Sequence, residues 1–284
     1  MNKIILLIHC PDQQGIIAKV TNFIAESNGN TVYLEQHVDT DEKAFFMRLE
    51  CEFPANTDAL EIFKQRFVSE IAAELKMEWQ IFDPSIKPRM AIFVSKYSHC
   101  LYDILGRHAS GELEVDIPII ISNHKDMAAV AANFQIPYAY IPINKANKVE
   151  AEAKQIELLE KNNIDFIVLA RYMQILSANF VDHYTHKVIN IHHSFLPAFP
   201  GAKPYHSAYN RGVKIIGATS HYVTSALDEG PIIEQEVVKV KHTHSISDFI
   251  AKGRDVEKIV LSRGVKYHIK RKVLVYNNKT VVFD

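Results

Sequence analysis

The stretch Met90-Ala-Ile-Phe-Val94 is a short strand without a polar residue. Continuous apolar strands recur after it, separated by helical stretches such as Lys148–Lys161. The recurring strands are predicted at 117–121, 136–141, 166–170 and 188–191. A strand that is apolar on both faces is buried on both sides, and its alternation with helices is typical of a mostly parallel sheet. The sequence therefore predicts a Rossmann-like α/β domain from residue 90 onward.

The pattern changes after residue 191. Two strands, 215–223 and 232–240, are predicted on either side of the turn Asp228-Glu-Gly-Pro231. A helix over Ser247–Val265 and a hairpin through Asn277-Asn-Lys279 complete the prediction. All of these elements are assigned to one domain, residues 90–284.

The first 83 residues have a different organisation. Apolar spacing predicts the order β-α-β-β-α-β, with the first helix starting near Ile16 and the second over Asp58–Glu74. That order is typical of a ferredoxin-like unit. The polar segment 84–89 contains two prolines and is predicted to be the linker.

Composition excludes several classes of protein. The chain has 284 residues, 48% of them hydrophobic and 23% charged, with a formal net charge of −1. These values exclude wholesale disorder. A net charge near zero also lacks the excess of positive charge that is typical of proteins that bind nucleic acid or an anionic membrane. No apolar run is long enough to span a bilayer. Three widely spaced cysteines without a C-x-x-C pair indicate a reducing, cytoplasmic location.

A polar cluster follows the strand at 188–191. In open α/β sheets, ligands bind beyond the carboxyl ends of the strands. Asn190 and His192 are two residues apart, so an amide and an imidazole converge on one point, as an oxyanion requires. His221 and Asp228 form a second cluster, in which Asp228 would orient a histidine or take a proton from water.

Each of these residues also has a purely structural interpretation. Asp228 would serve as a turn former, and His192-His193 as a loop anchor. A metal site from His192, His193, His221 and Asp228 is disfavoured, because adjacent residues of an extended chain point to opposite faces. The larger domain has Ser95–Cys100 after its first strand instead of a G-x-G-x-x-G motif, which removes the main sequence support for dinucleotide binding. The chain also has no G-x-S-x-G motif, which argues against a hydrolase with a nucleophile elbow.

Two long stretches, Asn190–His206 and Gly217–Ile232, resemble the formyltransferase fold family that uses 10-formyltetrahydrofolate. The likeness covers residues from about 90 to 284. The doubled histidine 192–193, the segment Ile121–His124, the segment Ser98–Cys100 and the tail 253–263 resemble the formyltetrahydrofolate deformylases more narrowly. The leading domain, with its loop Asp12-Gln13-Gln14-Gly15, is similar to an ACT domain.

The resemblance implies roles for individual residues. Asn190, His192 and Asp228 match the catalytic trio of the family. The implied substrate-binding residues are His193, His221, Thr224, Met173, Gln174, Ile175 and Leu176, the last four in the segment that cradles the pterin ring. Gln174 stands where relatives commonly have arginine, and Tyr97 where some deformylases have an acidic residue. No role is evident for His193 beyond packing toward Lys203–Tyr205 or placing water.

The implied activity is hydrolysis of 10-formyltetrahydrofolate to formate and tetrahydrofolate, supplying formate for purine synthesis and balancing one-carbon pools. Folate is then the substrate, and neither a cofactor nor a metal is expected. Water is the expected acceptor, because Ser95–Cys100 replaces the glycine-rich loop that would seat a phosphorylated amine. The ACT loop, residues 12–15, implies methionine or glycine as effector in a homo-oligomer, dimer or tetramer.

Two alternative functions remain open from the sequence. One is formyl transfer to an amine by the same trio. The other is a regulatory protein that senses an amino acid through the first domain and merely holds folate in the second. The intact trio of Asn190, His192 and Asp228 argues against the second alternative, since a pure binder would not need it.

Overall fold

The chain folds into two compact units in a computed structural model that describes residues 2–54, 57–198 and 204–284. The first unit contains residues 1–86, 270–276 and 281–284, and the second contains 87–269 and 277–280. The side chains of residues 57–60 are not described, so Leu60, which belongs to the apolar spacing of the predicted helix Asp58–Glu74, lies outside the described side chains. Within the described ranges, no helix is long and apolar enough to cross a membrane.

The first unit confirms the predicted β-α-β-β-α-β order. Its elements are β1 (Asn2–Pro11), α1 (Ile16–Glu26), β2 (Asn30–Asp39), β3 (Ala44–Phe53), α2 (Thr57–Phe67), a π-helical turn (Val68–Ala72) and β4 (Glu78–Phe82). The antiparallel sheet has the order β2-β3-β1-β4, which is the ferredoxin-like topology. Helical spacing in α1 buries Ile16, Val20 and Phe23 against one face of this sheet.

The other face of this sheet is covered by the end of the chain. Leu274 and Phe283 pack with Leu7 and Phe46 in a separate apolar cluster. Arg48 is 2% exposed and donates hydrogen bonds to the carbonyls of residues 270 and 271 at 3.2 and 3.0 Å. The structure thus places residues 270–276 and 281–284 with the first unit, whereas the sequence pattern assigned them to the domain 90–284.

The second unit is the predicted α/β domain. Its helices are α3 (His99–Ala109), α4 (Ala128–Asn133), α5 (Lys148–Lys161), α6 (Ala178–His183), α7 (Pro204–Arg211) and α8 (Ile246–Ile269). Its strands are β5 (Arg89–Val94), β6 (Asp116–Ser122), β7 (Tyr138–Tyr140), β8 (Phe166–Leu169), β9 (Val188–His192), β10 (Ile215–Tyr222) and β11 (Ile232–Lys239). The closing hairpin, β12 (Val273–Tyr276) and β13 (Lys279–Val282), lies mostly in the first unit.

The sheet of the second unit has the order β11-β10-β9-β8-β5-β6-β7 among the described residues. The strands from β9 to β7 run parallel, and β10 is antiparallel to both of its neighbours. This confirms the predicted mostly parallel sheet, in which residues 90–94 of the interior strand β5 are completely buried.

The register of β9 determines where the predicted site lies. Asn190 is opposite Leu169 of β8 on one side and opposite His221 of β10 on the other. His192 is opposite Thr219. Because alternate residues of a strand share a face, Asn190, His192 and His221 lie on the same face of the sheet. The antiparallel strand β10 therefore brings His221 next to residues more than 25 positions earlier in the chain.

Candidate active site

A cavity of about 320 Å³ opens beside the ends of β8 and β9. All ten residues assigned to catalysis and substrate binding from the sequence line it. They are Met173, Gln174, Ile175, Leu176, Asn190, His192, His193, His221, Thr224 and Asp228. Segments distant in sequence thus meet around one space: the loop after β8, the end of β9, the end of β10 and the turn before β11.

Asn190 and His221 form a direct polar contact across β9 and β10. Asn190 Nδ2 lies 3.2 Å from His221 Nε2, and His221 Nδ1 lies 3.0 Å from the carbonyl oxygen of Tyr222. A carbonyl only accepts, so Nδ1 of His221 carries the proton and Nε2 accepts from the amide. Burial lowers the pKa of His221, which keeps the ring in this neutral form. The neutral imidazole therefore fixes the orientation of the Asn190 amide.

His192 pairs with Asp228. His192 Nδ1 lies 3.2 Å from Asp228 Oδ2, and the side chain of His192 is 6% exposed. His192 Nε2 is buried without a hydrogen-bond partner among the residues that the structure describes. A buried polar atom without a partner is costly, so it is a candidate contact for a bound ligand. The pair has the geometry in which a carboxylate orients an imidazole.

Asp228 is held in an uncommon backbone conformation. Its φ is 58°, in the left-handed region that aspartate tolerates better than most residues. A Cβ at Gly230 would lie 1.8 Å from the carbonyl oxygen of Tyr222, so only glycine allows the chain to pass there. The hydrogen bond from His192 lowers the pKa of Asp228, with a further contribution from the nearby imidazoles, so the carboxylate is charged at neutral pH. In the structure Asp228 therefore lies in a turn and also pairs with His192.

His193 lies between the cavity and α7. It is 7% exposed, and its ring centroid lies 5.2 Å from that of His192 and 5.9 Å from that of Tyr205. The expected packing toward Tyr205 is therefore present, while Lys203 lies outside the described residues. His193 also belongs to the cavity lining, so both interpretations left open by the sequence remain compatible with its position.

The segment 173–176 forms the apolar side of the cavity. Met173 and Ile175 are exposed by 44% and 59%, and Leu176 is buried. The backbone N–H of Met173 donates to Ser95 Oγ at 3.0 Å, and Ser95 Oγ donates to Asn123 Oδ1 at 2.7 Å. Exposed apolar side chains on a fixed backbone suit a flat aromatic ligand.

Sequence patterns did not single out a buried polar cluster behind this segment. Glu257 of α8 is 1% exposed and contacts His99, Arg171 and Tyr205. The signal available in the sequence was an acidic residue within the apolar stripe of α8, next to Val256. The aromatic ring of Tyr97, the residue noted as a departure from relatives, lies against the guanidinium of Arg171.

One cluster of potential metal ligands lies apart from the four residues that the sequence analysis considered and disfavoured as a metal site. Within the described ranges, the group of His, Cys and carboxylate ligands that lie close together is His99, Cys100 and Glu257, with ligand atoms within 4.8 Å of one another. Arg171 Nε lies 3.3 Å from Glu257 and repels a cation there. Burial raises the pKa of the Cys100 thiol, which disfavours the thiolate that a metal needs. These residues fit an ion-pair cluster better than a metal site.

The loop assigned to an effector connects β1 to α1 in the first unit. Asp12, Gln13, Gln14 and Gly15 are all exposed. Gly15 has a φ of 89° and precedes the first residue of α1, and the N–H of Asp12 donates to the carbonyl of Lys43 at 2.8 Å. The loop is therefore ordered by its backbone, with its side chains accessible.

Comparison with known proteins adds to this geometry. The sequence profile of a family described as formyl transferase matches residues 88–265. A formyltetrahydrofolate deformylase of Synechocystis is 48% identical over 281 residues, which cover 98% of this chain and 97% of the relative. One of Bacillus subtilis is 44% identical over 280 residues, or 98% of this chain and 93% of the relative.

Solved structures give the same grouping. A formyltetrahydrofolate deformylase from Pseudomonas syringae has a TM-score of 0.95 and 48% identity, covering 100% of this chain and 95% of that one. A phosphoribosylglycinamide formyltransferase from Anaplasma phagocytophilum has a TM-score of 0.64 and 29% identity, covering 70% of this chain and 96% of that one. The deformylase likeness thus extends over both units, whereas the formyltransferase likeness covers only part of the chain.

Proposed function

The chain belongs to the formyltetrahydrofolate deformylases, hydrolases of 10-formyltetrahydrofolate, and from this membership we propose how its own residues carry out that reaction. Water attacks the formyl carbon on N10, a tetrahedral intermediate forms, and collapse of the intermediate releases formate and tetrahydrofolate. Asn190, His192 and Asp228 are the catalytic residues of this proposal. The observation that carries it is the His192–Asp228 pair, at 3.2 Å, beside Asn190 in one cavity.

Asn190 and His192 stabilise the oxyanion in this mechanism. One N–H of the Asn190 amide is directed to neutral His221, which leaves the other N–H for the substrate. His192 donates from Nε2, the atom without a partner among the described residues. Donors oriented before the reaction starts do not have to reorganise as charge develops, which is why such contacts are effective.

Asp228 has two functions in the proposal. Its Oδ2 accepts from His192 Nδ1 and thereby supports the charged form of that ring. Its Oδ1 lies 3.9 Å from His221 Nε2, beyond hydrogen-bond distance, and is the atom that binds and orients the attacking water. As the water adds to the formyl carbon, one of its protons passes to this carboxylate, and the carboxyl group returns that proton to N10 as the C–N10 bond breaks and tetrahydrofolate leaves.

The cavity wall provides the folate contacts. Met173, Ile175 and Leu176 offer an apolar surface to the pterin ring, with Gln174 and Thr224 as polar groups at the same cavity. No cofactor takes part, since folate is itself the substrate. The loop 12–15 of the first unit is proposed to bind methionine or glycine together with a second subunit of a homo-oligomer.

The decisive experiment is incubation of the purified protein with 10-formyltetrahydrofolate, a chelator and no amine acceptor. Stoichiometric free formate is expected, because the proposed chemistry uses only protein side chains and water. Turnover that needs an added amine and yields a formylated amine, or formate that appears only when metal is restored, would contradict the proposal. Adding methionine or glycine to the same assay tests the effector site, and unchanged activity with no heat of binding would remove it.

A further inference from the structure

Glu257 is a buried carboxylate with three partners from three other segments of the second unit. His99 Nε2 lies 2.8 Å from Oε2, and Arg171 Nε lies 3.3 Å from the same oxygen. The hydroxyl of Tyr205 donates to Oε1. Both oxygens of the carboxylate are thus held by the protein itself, at 1% exposure, in the middle of α8.

The carboxylate remains charged despite its burial. Burial alone raises the pKa of Glu257, but the hydrogen bond with His99 and the charge of Arg171 together hold it below its ordinary value. Buried ion pairs are often no more stabilising than apolar residues of the same volume, because both charges lose their hydration. A cluster of this kind therefore calls for a function other than stability alone.

The cluster reaches the active-site cavity at two points. Arg171 lines the cavity and precedes the wall at 173–176. Tyr205 packs its ring edge-on to that of His193, with centroids 5.9 Å apart and planes at 67°. His193 in turn lies beside His192. One carboxylate is therefore connected to both the folate-binding wall and the imidazole next to the catalytic pair.

Helix α8 is adapted to hold Tyr205 in this position. A Cβ at Gly253 would lie 2.2 Å from Tyr205 Cζ, so the ring packs where a side chain would otherwise stand. Gly253 and Glu257 are four residues apart, one helical turn, and lie on the same face of α8. Burial raises the pKa of Tyr205, and the charge of Glu257 raises it further, so the hydroxyl keeps its proton and donates.

We propose that Glu257 is a positioning residue for the hydrolysis: it holds Arg171 at the cavity, next to the folate-binding wall, and Tyr205 against His193. The inference rests on the proposed site of Asn190, His192 and Asp228. Without the carboxylate, Arg171 and Tyr205 each lose the contact that holds them in place, so both substrate binding and turnover are weakened. Loss of the Tyr205 hydroxyl alone affects the side of the site that contains His193.

Steady-state kinetics of three variants test the proposal. Glu257→Gln is expected to lower kcat/KM about 10- to 100-fold, the effect of a small misplacement of reacting groups, with KM raised and kcat lowered. Tyr205→Phe, which removes one oxygen atom, is expected to lower kcat while KM stays near the wild-type value. Glu236→Gln breaks the exposed ion pair with Arg263 and should change neither parameter.

A spectroscopic measurement separates positioning from general stability. The imidazole NMR signals of His193, assigned with His193→Gln, are expected to shift in Glu257→Gln and Tyr205→Phe but not in Glu236→Gln. Lowered melting temperatures with unchanged kcat, KM and His193 signals would show that Glu257 is only structural. If Glu257→Gln does not fold, the kcat and the His193 signals of Tyr205→Phe test the proposal instead. If the wild-type protein releases no formate, the assigned reaction is wrong. The NMR signals would still show whether Glu257 and Tyr205 hold His193 in position.

Discussion

Asn190 and His221 face each other on adjacent antiparallel strands, and the amide of Asn190 donates to the imidazole at 3.2 Å. Because His221 donates from Nδ1 to a backbone carbonyl, its Nε2 can only accept. The backbone of β10 thus determines the tautomer of His221, and that tautomer determines which way the Asn190 amide points. The orientation of the Asn190 amide, the proposed oxyanion donor, is therefore set by the sheet rather than by a loop.

Replacing Asn190 with alanine should lower kcat about 10²- to 10³-fold, because one donor to the oxyanion is removed. The effect on KM should be smaller, since the donor acts mainly on the tetrahedral intermediate. Formate release under saturating substrate measures this directly. Asn179→Ala, on the exposed surface of α6, is the matched control and should leave kcat unchanged. A wild-type kcat in Asn190→Ala would show that the oxyanion assignment is wrong.

His192 and Asp228 should behave as one unit. Asp228→Asn keeps a residue that tolerates the left-handed backbone but removes the charge that supports His192. His192→Ala and Asp228→Asn should each lower kcat more than Asn190→Ala does, and the double variant should be little worse than His192→Ala alone. Single-turnover rates of all three variants measure the coupling. Fully additive losses would mean that the two side chains act independently.

The turn at Gly230 should be intolerant of any side chain. Gly230→Ala places a methyl group against the carbonyl of Tyr222, with an expected loss of about 2–4 kcal/mol in the free energy of unfolding. Activity should fall as well, because Asp228 precedes Gly230 by two residues. Gly106→Ala in α3 is the control: it has open space around it and should stabilise the protein by about 0.5–1 kcal/mol. Denaturant melts measure both variants, and equal stabilities would exclude the steric explanation.

The stability of the protein should depend on pH through His221. The ordinary pKa of this group is 6.5, and burial lowers it in the folded state. As the pH falls below 6.5, the unfolded chain takes up a proton that the folded chain resists, so the free energy of unfolding decreases. His221→Gln should therefore lose less stability between pH 7 and pH 5 than the wild type. The exposed His206→Gln should follow the wild type, and identical slopes in all three would refute this dependence.

Periodicity was sufficient for the architecture. The apolar run at 90–94 predicted a strand of a parallel sheet covered on both faces, and β5 is indeed a buried interior strand of the seven-stranded sheet formed by the described residues. The order of elements in the first unit was also evident, since strand and helix periods differ. These features are local, because each depends on residues within one turn or one pleat of the chain.

The site was partly predictable for the same reason. Asn190 and His192 share a strand, so their spacing alone placed them on one face. Their partners depend on tertiary structure: His221 meets Asn190 through the register of β10, and Asp228 reaches His192 through a turn that Gly230 permits. Register between distant strands follows from packing of the whole sheet, which no local pattern encodes.

The sequence by itself determined the two kinds of unit, the strand that carries Asn190 and His192, and the residue types available for acyl chemistry. The tertiary structure alone decided that residues 270–276 and 281–284 belong to the first unit and that Glu257 is buried against Arg171 of the cavity lining. The physical reason is that patterning reports which face of an element is apolar. The partner of a buried charge, or of the end of the chain, is chosen by contacts between segments far apart in sequence.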